Sequence, residues 1–271
     1  MHAENVTSTA EQLATRALVR GWRRALIVRG RDITAKVAGR SCLVLAPHPD
    51  DETFGCGATI CRKLAGGSEV RIVVATDGRR SSDQMDAEAL VRLRADEARA
   101  AAGVLGVAAD DFQLLGHHDG TLDRGTERVV DDVIAFLAGW EPDQVFVTSA
   151  LDGHPDHVAL NDVARRLRAR LAPSCEFLEY PTWYWYGGPI RTSARTAGRR
   201  TIRGLEQVIR SARRHRPVLV ATDPYLGQKR RAIAHYRSQT TDLSGHGDWD
   251  WLPSDFVDVF LGRYEVFLPL R

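Results

Sequence analysis

The run CLVLAP, residues 42–47, is short and wholly apolar, as is typical of a strand that is buried on both faces of a parallel sheet. Residues 54–65 then have a helical pattern, and EVRIVVAT (69–76) indicates a second strand. The alternation continues, and it predicts further strands at 112–115, 144–150 and 175–180 and helices at 86–105, 125–139 and 156–171. Strands joined through helices pair in parallel by right-handed crossovers. The sequence therefore predicts a Rossmann-like, doubly wound α/β fold, with helices on both faces of a mostly parallel sheet.

The segments outside this alternation set the predicted domain limits. Residues 9–27 indicate an amphipathic helix, with apolar residues at helical spacing: Leu13, Ala17, Leu18 and Trp22. We expect residues 1–40 to form a helical extension that packs on its own domain, and residues 41–271 to form a single domain that is decorated after residue 181. The decoration contains an aromatic segment, an arginine-rich segment, a strand, a helix and a less regular C-terminus: TWYWYGG (182–188), 191–216, 217–222, 224–237 and the residues that follow.

Composition excludes several classes of protein. A formal net charge of +2 over 271 residues gives no reason to expect nucleic-acid binding. No stretch approaches the roughly 20 apolar residues of a membrane span, and the N-terminus has no long apolar leader core. The four cysteines have the spacing of neither a disulfide framework nor a zinc knuckle: Cys42, Cys56, Cys61 and Cys175. We expect a cytoplasmic protein with reduced core thiols; the sequence does not predict its oligomeric state.

Two segments rich in histidine and aspartate follow predicted strands directly. APHPDDE (46–52) comes after the first strand, and DGHPDH (152–157) comes after a later one. In open parallel sheets, ligands bind in the crevice beyond the carboxyl ends of the strands. The two segments can therefore face one another there, although about a hundred residues separate them along the chain. This pattern predicts a functional site at the carboxyl edge of the sheet.

The residue types in these segments are typical of a catalytic metal site. Zinc in such sites takes three protein ligands from His and Asp or Glu and leaves a position for water. The two segments can supply two imidazoles and a carboxylate, and further carboxylates would be free to act as a general base. The residues by themselves do not decide whether Asp50 or Asp51 is the ligand. They indicate metal-assisted hydrolysis of a carbonyl substrate.

The paired motifs A-x-H-P-D-D-E and H-P-D-H resemble those of the LmbE-like and PIG-L-like N-acetylglucosaminyl deacetylases. Two further segments are similar to that family. The first is an R-x-x-E-A…L-G-V helix, matched by Arg94, Glu97 and Ala98 and by residues 105–107. The second is a late K-x-x-A…S-Q segment, matched by Lys229, Ala232, Tyr236, Ser238 and Gln239. The resemblance covers roughly residues 41–240 and leaves out the first forty residues and 182–216.

The resemblance implies a zinc-dependent deacetylase with one Zn2+ per chain and a role for each matched residue. His48, Asp51 and His157 would bind the metal. Asp50 would be the general base, His154 would stabilise the tetrahedral oxyanion, and Asp156 would orient His154. Arg94 would hold hydroxyl groups of the sugar. The implied reaction hydrolyses the N-acetyl amide of a small GlcNAc-type amino sugar or glycoconjugate, which gives a free amine and acetate.

Other interpretations compete with this one. On the same fold, the enzyme could be an amidase of a thiol-sugar conjugate or of a longer acyl group. His48, Asp50 and His157 also fit the two-His-one-carboxylate triad of a non-haem iron oxygenase, although those enzymes usually have all-β folds. A non-catalytic sugar-binding protein is a third class. Asp50, Asp51 and Glu52 could instead only cap a helix, and TWYWYGG could either line the sugar site or pack in the core.

Overall fold

The structure, a computed structural model, describes residues 9–187, 216–247 and 249–270. The strands are β1 (Arg31–Asp32), β2 (Cys42–Ala46), β3 (Val70–Thr76), β4 (Phe112–His117), β5 (Gln144–Thr148), β6 (Glu176–Tyr180), β7 (Val218–Ala221) and β8 (Tyr264–Pro269). The helices are α1 (Thr9–Arg29), α2 (Thr34–Val37), α3 (Asp51–Ala65), α4 (Ala87–Leu105), α5 (Thr126–Leu137), α6 (Pro155–Leu167), α7 (Tyr184–Gly187), α8 (Leu226–Ile233), α9 (Arg237–Thr240) and α10 (Ser254–Phe260). Each strand and helix of the predicted alternation is present.

Within the described residues the strands form one sheet, in the order β1-β7-β8-β6-β5-β2-β3-β4. All pairings are parallel except those of β8, which runs antiparallel to β6 and β7. From β2 the chain continues outward through β3 and β4 and then returns to β5, on the other side of β2. This reversal opens a crevice at the carboxyl ends of β2 and β5, where doubly wound sheets bind ligands. The predicted fold class is confirmed.

The central strand β2 is buried on both faces, as its continuous apolar sequence predicts. Cys42, Val44 and Ala46 pack into one core cluster with apolar residues of α3 and α4. Leu43 and Leu45 point to the other face and pack with residues of α5 and α6. Successive side chains of a strand alternate between the faces of a sheet, so this one strand contributes to both layers of the core. It therefore holds the loop after residue 46 at the centre of the molecule.

The N-terminal segment packs against the rest of the described chain. The predicted helix is present as α1, with Leu26 buried in a cluster that includes Tyr184 and Phe256. After it, Arg31–Asp32 adds an edge strand to β7, which the sequence did not predict because two residues are too short for a periodic pattern. No helix in the described part of the chain, α1 included, is long and apolar enough to cross a membrane.

The C-terminal strand β8 lies inside the sheet, between β6 and β7, although we predicted a less regular C-terminus. Glu265 interrupts its apolar run, and this carboxylate is buried. Lys229 explains the burial, because its Nζ lies 2.7 Å from Glu265 Oε1 and donates to the carbonyl oxygen of Phe54 at 2.6 Å. Glu265 also accepts the N–H groups of Ala58 and Thr59 in α3, at 2.9 and 2.8 Å. The ion pair thus joins β8 and α8 to the helix that follows the first motif.

Replacing Lys229 with methionine is expected to lower the free energy of unfolding by about 3–5 kcal/mol, because the buried Glu265 carboxylate would lose its partner. Urea denaturation of the purified proteins measures this change. Lys36→Met is the matched control, since Lys36 is exposed and surface substitutions usually change stability by less than about 0.5 kcal/mol. Equal unfolding free energies for the two variants would show that the buried pair does not stabilise the fold.

Candidate metal centre and its cleft

The two histidine-containing motifs meet at the crevice between β2 and β5. His48 follows β2, whereas His154 caps α6 and His157 lies in its first turn, after β5. The ring of His48 is 4.8 Å from that of His154 and 5.3 Å from that of His157, measured between centroids. His157 is fully buried and His48 and His154 are partly buried. The strand order therefore brings together the imidazoles that the sequence predicted to share one site.

The carboxylate of Asp51 lies between the imidazoles of His48 and His157. Asp51 Oδ2 lies 3.1 Å from His48 Nδ1 and 3.4 Å from His157 Nε2. His157 Nε2 is buried and has no hydrogen-bond partner. Burial would lower the pKa of His157, but the carboxylates of Asp51 and Asp152 raise it to about 9. The two carboxylates therefore favour a positive charge at this position, which a divalent cation would supply. The donor set, two imidazoles and one carboxylate, fits zinc.

The ring nitrogen of His157 that faces away from Asp51 contacts the carboxylate of Asp152, which the sequence analysis did not single out. His157 Nδ1 lies 2.8 Å from Asp152 Oδ2, and this contact directs Nε2 toward Asp51. Asp152 is fixed in turn by the backbone N–H groups of Thr182 and Tyr184. Such carboxylate–histidine pairs set the tautomer and orientation of metal-binding histidines. Asp152 belongs to the DGHPDH motif itself, so its position in that segment was a usable signal.

His48 is held in the same way through its other nitrogen. Its Nε2 lies 3.3 Å from Asp119 Oδ1 and 3.3 Å from Asp156 Oδ2. Burial by itself would lower the pKa of His48, but hydrogen bonds to Asp119, Asp156 and Asp51 raise it well above its ordinary value. Asp119 comes from the loop after β4, and the sequence analysis missed it because no histidine motif marks it. Its role depends on β4 and β2 ending at the same edge of the sheet.

More than one group of side chains in the described residues could hold a cation. Ligand atoms of His48, His154 and His157 lie within 4.8 Å of one another, and so do those of His48, Asp119 and Asp156. Both groups contain His48, so they describe neighbouring positions in one site. The ligand set of His48, Asp51 and His157 stays a prediction from the family resemblance. Zinc content of a His154→Ala variant distinguishes this set from the group of His48, His154 and His157.

Asp50 lies beside the cluster in a strained backbone conformation. Its φ is 146°, a region that residues other than glycine rarely adopt and that is found most often at functional sites. The Asp50 side chain makes no capping hydrogen bond to α3, which disfavours a purely capping role. Burial raises the pKa of Asp50 to about 8, and Arg94 opposes this rise. A divalent cation beside Asp51 would oppose it further, which would favour the carboxylate form that accepts a proton.

Arg94, predicted to bind sugar hydroxyls, is almost fully buried, with 3% of its surface exposed. Its Nη2 donates to the carbonyl oxygen of Pro49 at 2.8 Å and contacts Asp50 Oδ2 at 3.2 Å, and its Nη1 donates to the Gly78 carbonyl. The described contacts therefore hold Asp50 and its loop in place. Arg94 also lines the cleft, and sugar binding by it stays a prediction.

His154 is set up to act as a hydrogen-bond donor. Its Nδ1 accepts the backbone N–H of Asp156 at 3.3 Å, so the proton of a neutral ring is on Nε2. Burial lowers the pKa of His154 to about 4, which keeps the ring neutral near pH 7. The carboxylate of Asp156, predicted to orient His154, instead contacts His48 and accepts the N–H groups of Gly120 and Leu122 at 2.7 and 3.1 Å. In this structure the backbone of residue 156 orients His154, while its side chain orients His48.

The cluster opens into a cleft of about 890 Å³. Its polar lining consists of His48, Asp50, Asp51, Arg94 and His154 together with Arg80, Ser81, Asp119, Gln239 and Asp250. The apolar lining comes from Phe54, Trp183, Trp249, Trp251, Leu252, Pro253 and Phe256. Within the TWYWYGG segment, Trp183 lines the cleft whereas Tyr184 and Trp185 are buried in the core. Residues 188–215, which hold most of the arginine-rich segment, lie outside the described residues.

His117, His118 and Cys56 do not line the cleft. His117 Nε2 contacts Asp132 at 2.9 Å. Cys56 is fully buried in the core cluster of α3 and α4, and burial raises the pKa of its thiol well above the ordinary value. A buried thiol of this kind packs as a small apolar group.

The chain is similar in sequence to known deacetylases over about half of its length. The profile of the PIG-L family, described as GlcNAc-PI de-N-acetylase, matches residues 43–169. A probable N-acetyl-alpha-D-glucosaminyl L-malate deacetylase 2 from Bacillus cereus is 29% identical over 139 residues, which are 49% of this chain and 62% of that protein. A 1D-myo-inositol 2-acetamido-2-deoxy-alpha-D-glucopyranoside deacetylase from Mycolicibacterium smegmatis is 31% identical over 58% of this chain and 61% of its own length. The match thus spans less than two thirds of these curated relatives.

Solved structures extend the similarity to most of the fold. A conserved protein from Thermus thermophilus superposes with a TM-score of 0.57 and 25% identity, over 84% of this chain and 93% of its own. The family profile covers both histidine motifs and the sheet crevice between them. Through residues 43–169, the chain is similar to the PIG-L family, and the curated relatives that it matches are named as deacetylases.

Proposed function

We propose that this protein is a zinc-dependent amide hydrolase that removes the N-acetyl group of a GlcNAc-type amino sugar or glycoconjugate. The observation that carries the proposal is the convergence of His48, Asp51 and His157 beside the buried, strained Asp50, at a cleft that His48, Asp50 and Asp51 line. Two curated relatives named above are deacetylases of N-acetylated glucosamine conjugates, which supports an amino-sugar substrate.

In this proposal His48, Asp51 and His157 hold one zinc ion. Zinc would polarise the acyl carbonyl group and lower the pKa of an attacking water. His157 and His48 bind in their required orientations because Asp152, Asp119 and Asp156 hold the opposite ring nitrogens. Although burial opposes it, the neighbouring imidazoles keep the pKa of Asp51 well below its ordinary value, and a metal ligand must be deprotonated.

Asp50 would move the proton of the reaction. As a carboxylate it accepts a proton from water as the oxygen attacks the acyl carbon, and it then returns that proton to the departing nitrogen. Arg94 keeps the carboxylate in place through its contact with Asp50 Oδ2. The products are acetate and the free amine.

His154 would stabilise the negative charge that develops on the acyl oxygen. Its Nδ1 already accepts the Asp156 N–H, so its Nε2–H can be donated to the oxyanion. A donor fixed in position before the reaction costs no reorganisation when the charge forms. Because the charge forms only in the transition state, this contact should affect kcat far more than KM.

His154→Ala is therefore expected to lower kcat by about 100- to 1,000-fold, the range for loss of one oxyanion donor, with KM and zinc content little changed. Steady-state kinetics and metal analysis of the same preparations measure the three quantities. Asp156→Ala should lower activity as well, and it should also loosen zinc, because the Asp156 side chain contacts His48. Loss of zinc from His154→Ala would mean that His154 is a ligand, as the group of His48, His154 and His157 allows.

The substrate is best tested by acetate release from a panel of N-acetylated sugars, sugar lipids and thiol-sugar conjugates. The proposal expects acetate release from at least one GlcNAc glycoside, and release that is at least about 100-fold slower by the Asp50→Asn variant. Release only from conjugates with a longer acyl group would favour the alternative amidase. No release from any member of the panel by zinc-loaded protein would contradict an N-deacetylase.

We further propose a cytoplasmic enzyme whose residues 41–271 act as one catalytic domain on small molecules. The four cysteines are buried free thiols, which supports a reducing compartment. The near-balanced net charge of +2 supports a small-molecule substrate over a nucleic acid.

A further inference from the structure

Glu52 is a fully buried carboxylate beside the proposed metal cluster, and the reaction described above gives it no part. It lies in the first turn of α3, directly after Asp51, and it does not line the cleft. A carboxylate is costly to bury unless its oxygens accept hydrogen bonds. The partners of Glu52 therefore indicate what this side chain does.

The two carboxylate oxygens of Glu52 have different partners. Oε2 accepts the backbone N–H of Asp50 at 3.1 Å. Oε1 accepts the hydroxyl group of Tyr236 and that of Thr53, the latter at 2.9 Å. Tyr236 lies between α8 and α9 and is also fully buried. Glu52 thus links the Tyr236 phenol to the backbone of the proposed general base.

These contacts bear on the strained backbone of Asp50. The peptide group between Pro49 and Asp50 is held at both ends, because Arg94 donates to the Pro49 carbonyl oxygen and Glu52 accepts the Asp50 N–H. The next peptide group is held by α3, since the Asp50 carbonyl oxygen accepts the N–H of Thr53 at 3.0 Å. With both peptide groups fixed, the φ of 146° between them is fixed as well. Such a conformation persists only where the surrounding contacts impose it.

The Tyr236 hydroxyl is itself held in position. It lies 3.0 Å from Thr53 Oγ1, and the Tyr236 ring stacks on Phe54, with 6.4 Å between centroids. The Tyr236 carbonyl oxygen accepts the N–H of Thr240 in α9 at 2.9 Å. The phenol is therefore a rigid donor, which fixes the rotation of the Glu52 carboxylate.

We propose that Glu52 and Tyr236 are positioning residues for the deacetylation. The Tyr236 hydroxyl orients the Glu52 carboxylate, and that carboxylate holds the Asp50 backbone so that the Asp50 side chain can accept the proton of the attacking water. This inference rests on the proposed function. Neither residue touches substrate or zinc in this role, so their loss should lower kcat and leave KM and zinc content unchanged.

Glu52→Leu removes the acceptor of the Asp50 N–H with little change in size, and it should lower kcat by about 100-fold, the cost of misplacing a catalytic group by about 1 Å. Glu52→Gln should restore most of the activity, because the amide oxygen can accept the Asp50 N–H while the NH2 group donates to the Tyr236 hydroxyl. Steady-state kinetics and zinc analysis of the same samples measure these effects. Unchanged kcat in Glu52→Leu, or zinc lost in proportion to activity, would overturn the positioning role.

Tyr236→Phe tests the same link by a smaller change, and it decides the matter if Glu52→Leu does not fold. It should lower kcat by about 10- to 100-fold, the usual effect of losing a partner of an active-site group. Tyr180→Phe is the matched control, because Tyr180 is also a buried phenol, and its hydroxyl donates to the Leu45 carbonyl oxygen at 2.7 Å. Urea denaturation should show similar losses of stability in both variants, whereas kcat should fall only in Tyr236→Phe. Equal losses of kcat would show a general packing effect and contradict the proposal.

Crystal structures of the zinc-loaded unchanged protein and of Glu52→Leu test the positioning without an activity assay. We expect the φ of Asp50 to leave the positive region in Glu52→Leu while zinc stays bound. An unchanged φ in that variant would contradict the inference even if the protein released acetate. Absence of acetate release by the unchanged protein would contradict the proposed function, and the comparison of φ would still decide whether Glu52 holds Asp50.

Discussion

His157→Ala is expected to weaken zinc binding by more than about 100-fold and to remove activity with it. Loss of a residue that only orients a metal ligand typically costs about 10- to 100-fold in metal affinity, and loss of a ligand should exceed this. His157 Nε2 is buried without a hydrogen-bond partner and faces Asp51 Oδ2 at 3.4 Å, so no other described side chain is already in its place. Competition with a chromophoric chelator measures the affinity, and elemental analysis measures metal per chain, expected to be about one.

The matched control is His117→Ala, which removes a histidine that pairs with Asp132 away from the cleft. Its zinc content and activity should equal those of the unchanged protein. Full occupancy and activity in His157→Ala would show that the ligand set is wrong. Iron in place of zinc in the freshly purified protein would favour the oxygenase interpretation, although the α/β sheet found here differs from the all-β folds typical of those enzymes.

Asp50→Asn is expected to lower kcat by about 100- to 10,000-fold, the usual contribution of a general acid–base group, while zinc stays bound. The amide has nearly the same shape as the carboxylate, but it cannot accept the proton from water. Its Oδ1 can still accept a hydrogen bond from Arg94, so the loop should keep its place. Steady-state acetate release and zinc content, measured on the same sample, test both parts of this prediction.

Asp51→Asn is the informative comparison, because Asp51 has the same side chain as Asp50 but contacts the imidazoles of His48 and His157. That variant should lose zinc affinity first and activity as a consequence. Asp96→Asn, at an exposed position of α4, should change neither quantity. If Asp50→Asn lost zinc and Asp51→Asn kept it, the roles of base and ligand would have to be exchanged.

The local sequence determined the layers of the fold and the place of the site. The apolar run 42–46 predicted a strand buried on both faces, because it has no polar position to face water, and the structure has this strand. The motifs after β2 and β5 carried the histidines and carboxylates, and the carboxyl ends of parallel strands meet at one edge. The family resemblance added the roles of individual residues, which spacing by itself left open between Asp50 and Asp51.

Tertiary structure decided what depends on distant pairings. Strand β8 buries Glu265 in the middle of the sheet, where Lys229 neutralises it, and residues so far apart along the chain give no local sign of that contact. In the same way, Asp119 reaches His48 from the loop after β4, and the Asp156 side chain contacts His48 and not His154. The aromatic segment splits between cleft and core at Trp183 and Tyr184. Each of these contacts depends on which strand ends and which helices lie next to one another in the fold. The order of residues within one segment does not contain that information.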